Sequence, residues 1–133
     1  MSLVFQNPNG SWFSLIESPY SESWITPWSI IHFMWGVIYA IFMLSFQFNY
    51  KSVLLVGFLL HSVYEFKDYH YSYNRNDSTF KFNSVRNILG DTFSFLLGVY
   101  ICINYIRVLP INFQLSLLIV IFTLIIISLN KWG

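Results

Sequence analysis

Charge is what this sequence has least of. Asp, Glu, Lys and Arg make up 10% of its 133 residues, against roughly 25% in a soluble globular domain, and its mean hydropathy is +0.56. Too little polar material is present to cover a water-soluble surface. The seven basic and six acidic residues leave a net charge of +1 and form no basic run. The dense cationic patch that grips nucleic acid is therefore missing, and nucleic acid is excluded as a partner. A single cysteine, Cys102, excludes an intrachain disulfide and, within its apolar stretch, reads as a small buried residue. Residues 1–16 carry no positive charge ahead of an apolar core, so they do not read as a secretory signal.

Apolar length is what the sequence does have. A spanning helix needs about 20 mostly apolar residues, and four windows qualify, at 27–46, 52–69, 84–106 and 111–129. The expected fold is all-α, a polytopic bundle of four transmembrane helices over residues 27–133, preceded by an interfacial segment at 1–26. In that segment Trp12, Phe13, Trp24 and Trp28 alternate with Ser, Asn, Glu17 and Glu22, a mixture suited to the headgroup layer. Pro27 fits the first turn of the first helix, where its missing N–H costs nothing.

Short connections near Asn49–Lys51 and Pro110 predict two antiparallel hairpins, helix one with two and helix three with four. Between helices two and three lies a polar, aromatic loop, 70–83, with Tyr71, Tyr73, Arg75, Asp77, Phe80 and Lys81. Four spans put that loop and both termini on one side. Lys67, Arg75, Lys81, Arg86 and Lys131 gather there, opposite Lys51 and Arg107, so the positive-inside rule makes it the cytoplasmic or equivalent inner side. Two Asn-x-Ser sequons, at Asn9 and Asn76, share that side and would be glycan acceptors only in a secretory lumen.

Ionisable residues inside a span cost about 2.5–3.5 kcal/mol at a helix centre, and here they are not scattered. His32 lies early in helix one, His61, Glu65 and Asp68 late in helix two, and Asn87 and Asp91 early in helix three. All fall at similar depth. His61 and Glu65 are i, i+4, Asp68 follows at i+7, and Asn87 and Asp91 repeat the i, i+4 spacing, so each set shares one helix stripe. Gly36, Gly57, Gly90, Ser94 and Gly98 accompany them, small residues that let helices approach closely. Helix four carries nothing ionisable between Ile111 and Leu129 and reads as anchorage.

Two imidazoles and three carboxylates with an amide and a hydroxyl form an acid/base set: His32, His61, Glu65 and Asp91 as candidate catalytic groups, with Asp68, Arg75, Ser84 and Asn87 as candidate substrate contacts. His61, Glu65 and Asp91 are also candidate ligands for a divalent metal. No short diagnostic spacing such as H-E-x-x-H accompanies them.

The same positions carry a resemblance. Trp24-Ile25-Thr26-Pro27-Trp28-Ser29-Ile30-Ile31-His32 is similar to W-x-T-P-S-H-I-x-H-G. His61-Ser62-Val63-Tyr64-Glu65-Phe66-Lys67-Asp68-Tyr69 is similar to E-x-x-W-E-x-x-E-N, with Glu65 at the central Glu and Asp68 at the last. Asn83, Ser84, Asn87, Asp91, Thr92, Leu97 and Gly98 follow G-D-S-x-x-N-S-x-x-D-T-x-x-x-x-L-G. These three ordered motifs, spanning about residues 24–98, resemble an uncharacterised family of alphaproteobacterial integral inner-membrane proteins. Two family carboxylates are replaced here, by His61 and Asn83. The resemblance implies a membrane protein whose recognisable residues are the polar ones, and no particular reaction.

Three functions fit these residues. The first is a membrane-embedded site that binds or acts on a lipid headgroup or other interfacial substrate, with Glu65 or Asp91 as base or metal ligand and Arg75 or Lys81 receiving an anionic group. The second is a structural subunit of a larger membrane assembly, such as a respiratory complex or virus particle, with other subunits or further copies of itself as partners; an aromatic content of 21% suits such contacts. The third is proton or ion transport, for which buried carboxylates and His are the usual relay.

Overall fold

The computed structural model describes residues 24–74 and 85–132. Among these the chain is helical: α1 (Pro27–Ser45), α2 (Tyr50–Asn74), α3 (Val85–Asn104), a short 3-10 turn (Ile106–Val108) and α4 (Ile111–Trp132). Three of them, Pro27–Ser45, Val85–Val108 and Ile111–Asn130, are long and apolar enough to cross a bilayer. The remaining helix, α2, has 25 residues, enough in length, but His61, Glu65, Lys67 and Asp68 crowd its second half. Large apolar side chains such as Phe42, Leu60, Phe93, Ile119 and Ile127 are exposed around every helix. Such a surface would aggregate in water and is what a helix presents to lipid; the chain is an integral membrane protein.

α1 begins at Thr26, whose extended backbone (φ −129°, ψ 174°) precedes Pro27 at the first helical position. Ser29 Oγ accepts the Thr26 N–H at 3.0 Å, the backward half of a capping box. The helix ends in a Schellman turn: Gln47 N–H donates to the Leu44 carbonyl and Phe48 N–H to that of Met43, with Gln47 at φ 63°. Asn49 then caps α2, its Oδ1 accepting the Ser52 N–H at 2.9 Å, so the four residues 46–49 reverse the chain.

α1 and α3 form the main seam. A Cβ on Gly36 would run into the Phe95 carbonyl, and one on Gly98 into the Phe33 carbonyl, so the two glycines let the backbones touch reciprocally, as small residues do between membrane helices. Val37, Ala40, Val99 and Cys102 are buried along this seam. α2 packs across both helices, tied by the Tyr39 hydroxyl, which donates to the Val53 carbonyl at 2.9 Å.

Two expectations are corrected. α2 runs to Asn74, so residues 70–74 of the expected loop are helical; no Gly or Pro lies between Gly57 and Gly90 to stop the helix earlier. The hairpin of helices three and four does not form as expected. After the 3-10 turn and Pro110, α4 leans on α1, with Trp35 edge-on to Phe122 at 6.3 Å. Ile121 and Ile125 are its only buried side chains among the described residues. A cavity of about 600 Å³ opens at its foot, between Leu44, Cys102, Arg107 and Gln114.

Candidate functional site

Antiparallel packing brings the start of α1, the second half of α2 and the start of α3 to the same end of the bundle. His32 is the sixth residue of α1 and Asp91 the seventh of α3, so each lies roughly 8–9 Å along its helix at 1.5 Å per residue. His61 and Glu65 reach this level from α2 through their i, i+4 spacing. Glu65 and Asp91 are each 2% exposed and His61 6%, while the His32 side chain is 12% exposed. The four residues singled out as catalytic candidates meet in one buried cluster.

The two imidazoles are in direct contact, His32 Nδ1 lying 2.8 Å from His61 Nε2. Such a contact needs one N–H and one lone pair, so the accepting ring is neutral. Thr92 Oγ1 is 3.3 Å from His61 Nδ1. If the ring donates there, Nε2 carries the lone pair and accepts from His32; if the Thr92 hydroxyl donates, the direction reverses and His32 Nε2–H points at the acids. His32 Nε2 then faces both acids, 3.4 Å from Asp91 Oδ2 and 3.6 Å from Glu65 Oε1. The same Oε1 is 3.6 Å from His61 Nε2. Asp91 is fixed from its other oxygen, since Ser29 Oγ donates to Oδ1 at 2.5 Å. Ser29, which accepts from the Thr26 N–H, thus links the entry of α1 to the acid of α3.

The cluster has an apolar floor. The His61 ring lies on Phe95, with centroids 4.6 Å apart, and Phe95 meets Tyr39 at 5.6 Å. Beyond them lie Val37, Val53, Val99 and Ile103, all buried. Among the described residues no acid, imidazole or cationic side chain lies between this floor and Lys51 and Arg107 at the other end. Tyr64 borders the open side, its ring 6.0 Å from His32 and 6.3 Å from His61, with Lys67 Nζ 4.7 Å above its centroid.

The expected substrate contacts divide. Asp68 is half-buried one turn beyond Glu65 and meets Lys67 Nζ at 3.3 Å. Asn87 is half-buried one turn before Asp91. Arg75, Ser84, Lys81 and the interfacial segment 1–23 lie outside the described residues. Two members of the cluster were not singled out from the residues: Ser29, one turn before His32, and Thr92, next to Asp91. Both stand within the motif stretches, but nothing in their residue type distinguishes them from other helix hydroxyls.

The candidate donor atoms of His32, His61 and Glu65 lie within 4.8 Å of one another, a group that could hold a metal ion. Two of the expected metal candidates, His61 and Glu65, belong to this group; His32 stands in the place expected for Asp91, which lies outside the group with Oδ2 3.4 Å from His32 Nε2. Comparison of the chain with protein-family models, with curated proteins and with solved structures finds no match in any of the three.

Proposed function

We propose that this protein carries a membrane-embedded site, at the level of the headgroup boundary, that binds and acts on a lipid headgroup or another interfacial substrate. One observation carries the reading: three helices converge on a buried set of two imidazoles and two carboxylates closed below by apolar side chains. Packing alone requires no acid at that depth, where ionisable groups are costly. In this reading the two carboxylates divide the roles of ligand and base, an imidazole moves the proton near neutral pH, and Asp68 and Asn87 flank the substrate. Arg75 or Lys81 would receive its anionic part, on the side that the positive-inside rule favours as cytoplasmic. The resemblance to the uncharacterised inner-membrane family supports the reading because its motif positions include His32, Glu65, Asn87 and Asp91.

The apolar floor argues against transport, which needs a polar path through the bilayer. A second reading, a subunit of a larger membrane assembly, is favoured by α4, whose exposed apolar sides offer a contact surface for another membrane protein. The two readings part on lipid mass spectrometry of the purified wild type and the Glu65→Gln, Asp91→Asn double variant. A headgroup lipid, or its conversion, lost only in a folded double variant is the expected result; identical lipid spectra would overturn the site reading in favour of the subunit.

A further inference from the structure

Three contacts in the cluster are too long for hydrogen bonds. His32 Nε2 to Asp91 Oδ2 is 3.4 Å, and Glu65 Oε1 is 3.6 Å from Nε2 of both histidines, whereas an N–H to a carboxylate closes to about 2.7–2.9 Å. They have instead the length of ligand-to-ligand edges. Donors about 2.0–2.2 Å from a zinc ion in tetrahedral order stand roughly 3.3–3.6 Å apart. We propose that His32, His61 and Glu65 hold a divalent transition-metal ion within the membrane, zinc in first place, with Asp91, outside that trio but 3.4 Å from His32 Nε2, drawn in to close the fourth position. The inference rests on reading the cluster as a functional site.

Donor type points the same way. Two imidazole nitrogens and two carboxylate oxygens suit zinc; magnesium and calcium take six or more oxygens. The partners behind the ligands are in place as well. Thr92 at His61 Nδ1 leaves the Nε2 lone pair facing the site, and Ser29 at Asp91 Oδ1 leaves Oδ2 facing it, the outer contacts that orient metal ligands. In the metal-free arrangement His61 Nε2 and His32 Nδ1 share one proton across 2.8 Å, and the ion replaces that bond. A carboxylate in the fourth position is the ligand that a substrate oxygen can displace, leaving Asp91 beside the substrate as a base.

The test loads the full-length protein, stripped by chelator in detergent, with Zn2+ and separately with Co2+. One Zn2+ per chain by elemental mass spectrometry and the visible bands of tetrahedral Co2+ are expected, both lost in Glu65→Gln and His61→Asn. Ser29→Ala and Thr92→Val, which keep all four ligands, should retain the metal with 10–100-fold weaker affinity; they carry the test if the ligand variants fail to fold. Wild-type protein that takes up neither ion, or affinities unmoved in both outer variants, would overturn the metal site. The two proposals fail separately. Zn2+ bound with headgroup lipid unchanged in the double variant removes the interfacial substrate alone; headgroup lipid lost with Glu65→Gln from protein that binds no metal removes the metal alone.

Discussion

Ser29 joins two helices through a single oxygen, accepting from the Thr26 N–H and donating to Asp91. Ser29→Ala leaves a buried N–H and a buried carboxylate short of a partner at once, and each such loss costs about 1–3 kcal/mol. The melting temperature in detergent should fall clearly. Glu65 is expected to behave in the opposite sense. Glu65→Gln keeps the shape and removes a charge buried at 2% exposure, so the metal-free protein should melt no lower than the wild type, and at a higher temperature if desolvation of the carboxylate dominates. A side chain kept only to fix helix register would show the reverse, a lower melting temperature on Glu65→Gln. The acids and imidazoles were legible in the sequence because their burial is expensive and their spacing puts them on single stripes. Ser29 and Thr92 were not, since a helix absorbs hydroxyls at little cost and nothing in their type marks them as supports for Asp91 and His61.

Between elements, the reciprocal contact of Gly36 and Gly98 sets how closely α1 and α3 approach, and with it the reach between His32 and Asp91. An added Cβ at either meets backbone, at Phe95 and at Phe33, and backbone cannot rotate away. Gly36→Ala and Gly98→Ala should each cost roughly 2–3 kcal/mol. Gly57→Ala meets the edge of the Tyr39 ring instead, a side chain that can shift, and should cost less in the same denaturation series. The α1–α2 turn offers changes of both signs. Gln47 sits at φ 63°, where a residue with a Cβ is strained by about 1 kcal/mol or more, so Gln47→Gly should stabilise the protein by about that amount. Asn49→Ala removes the cap on Ser52 and should destabilise by about 1 kcal/mol. Three helices begin within one residue of the places that hydropathy and Pro27 mark for them, and α2 begins two residues early at Tyr50. The end of α2 and the course of α4 escaped, for different reasons. The stretch 70–74 reads as loop by polarity yet contains no breaker, and a short connection at Pro110 fixes where a helix begins without fixing which neighbour it follows.

At the scale of the whole molecule, polarity is sorted along the bundle axis. Among the described residues every acid, Glu65, Asp68 and Asp91, lies toward one end, and Lys51 and Arg107 stand at the other. This sorting places the chemistry at one face of a bilayer only if α2 crosses it completely. α2 is the helix whose composition argues least for crossing, because its second half carries the cluster; its packing across α1 and α3 argues that it does, with the polar groups turned inward between helices. The two cases differ in a measurable way. In a variant with Cys102, which is buried, changed to Ala, new cysteines at Lys51, Arg86 and Arg107 can be probed with a membrane-impermeant thiol reagent from each side of sealed vesicles. A complete crossing by α2 and α3 labels Lys51→Cys and Arg107→Cys from one side and Arg86→Cys from the other. If α2 only dips into the membrane and returns, Lys51→Cys and Arg86→Cys label from the same side, Arg107→Cys from the opposite one, and the cluster loses the shared depth on which its function depends.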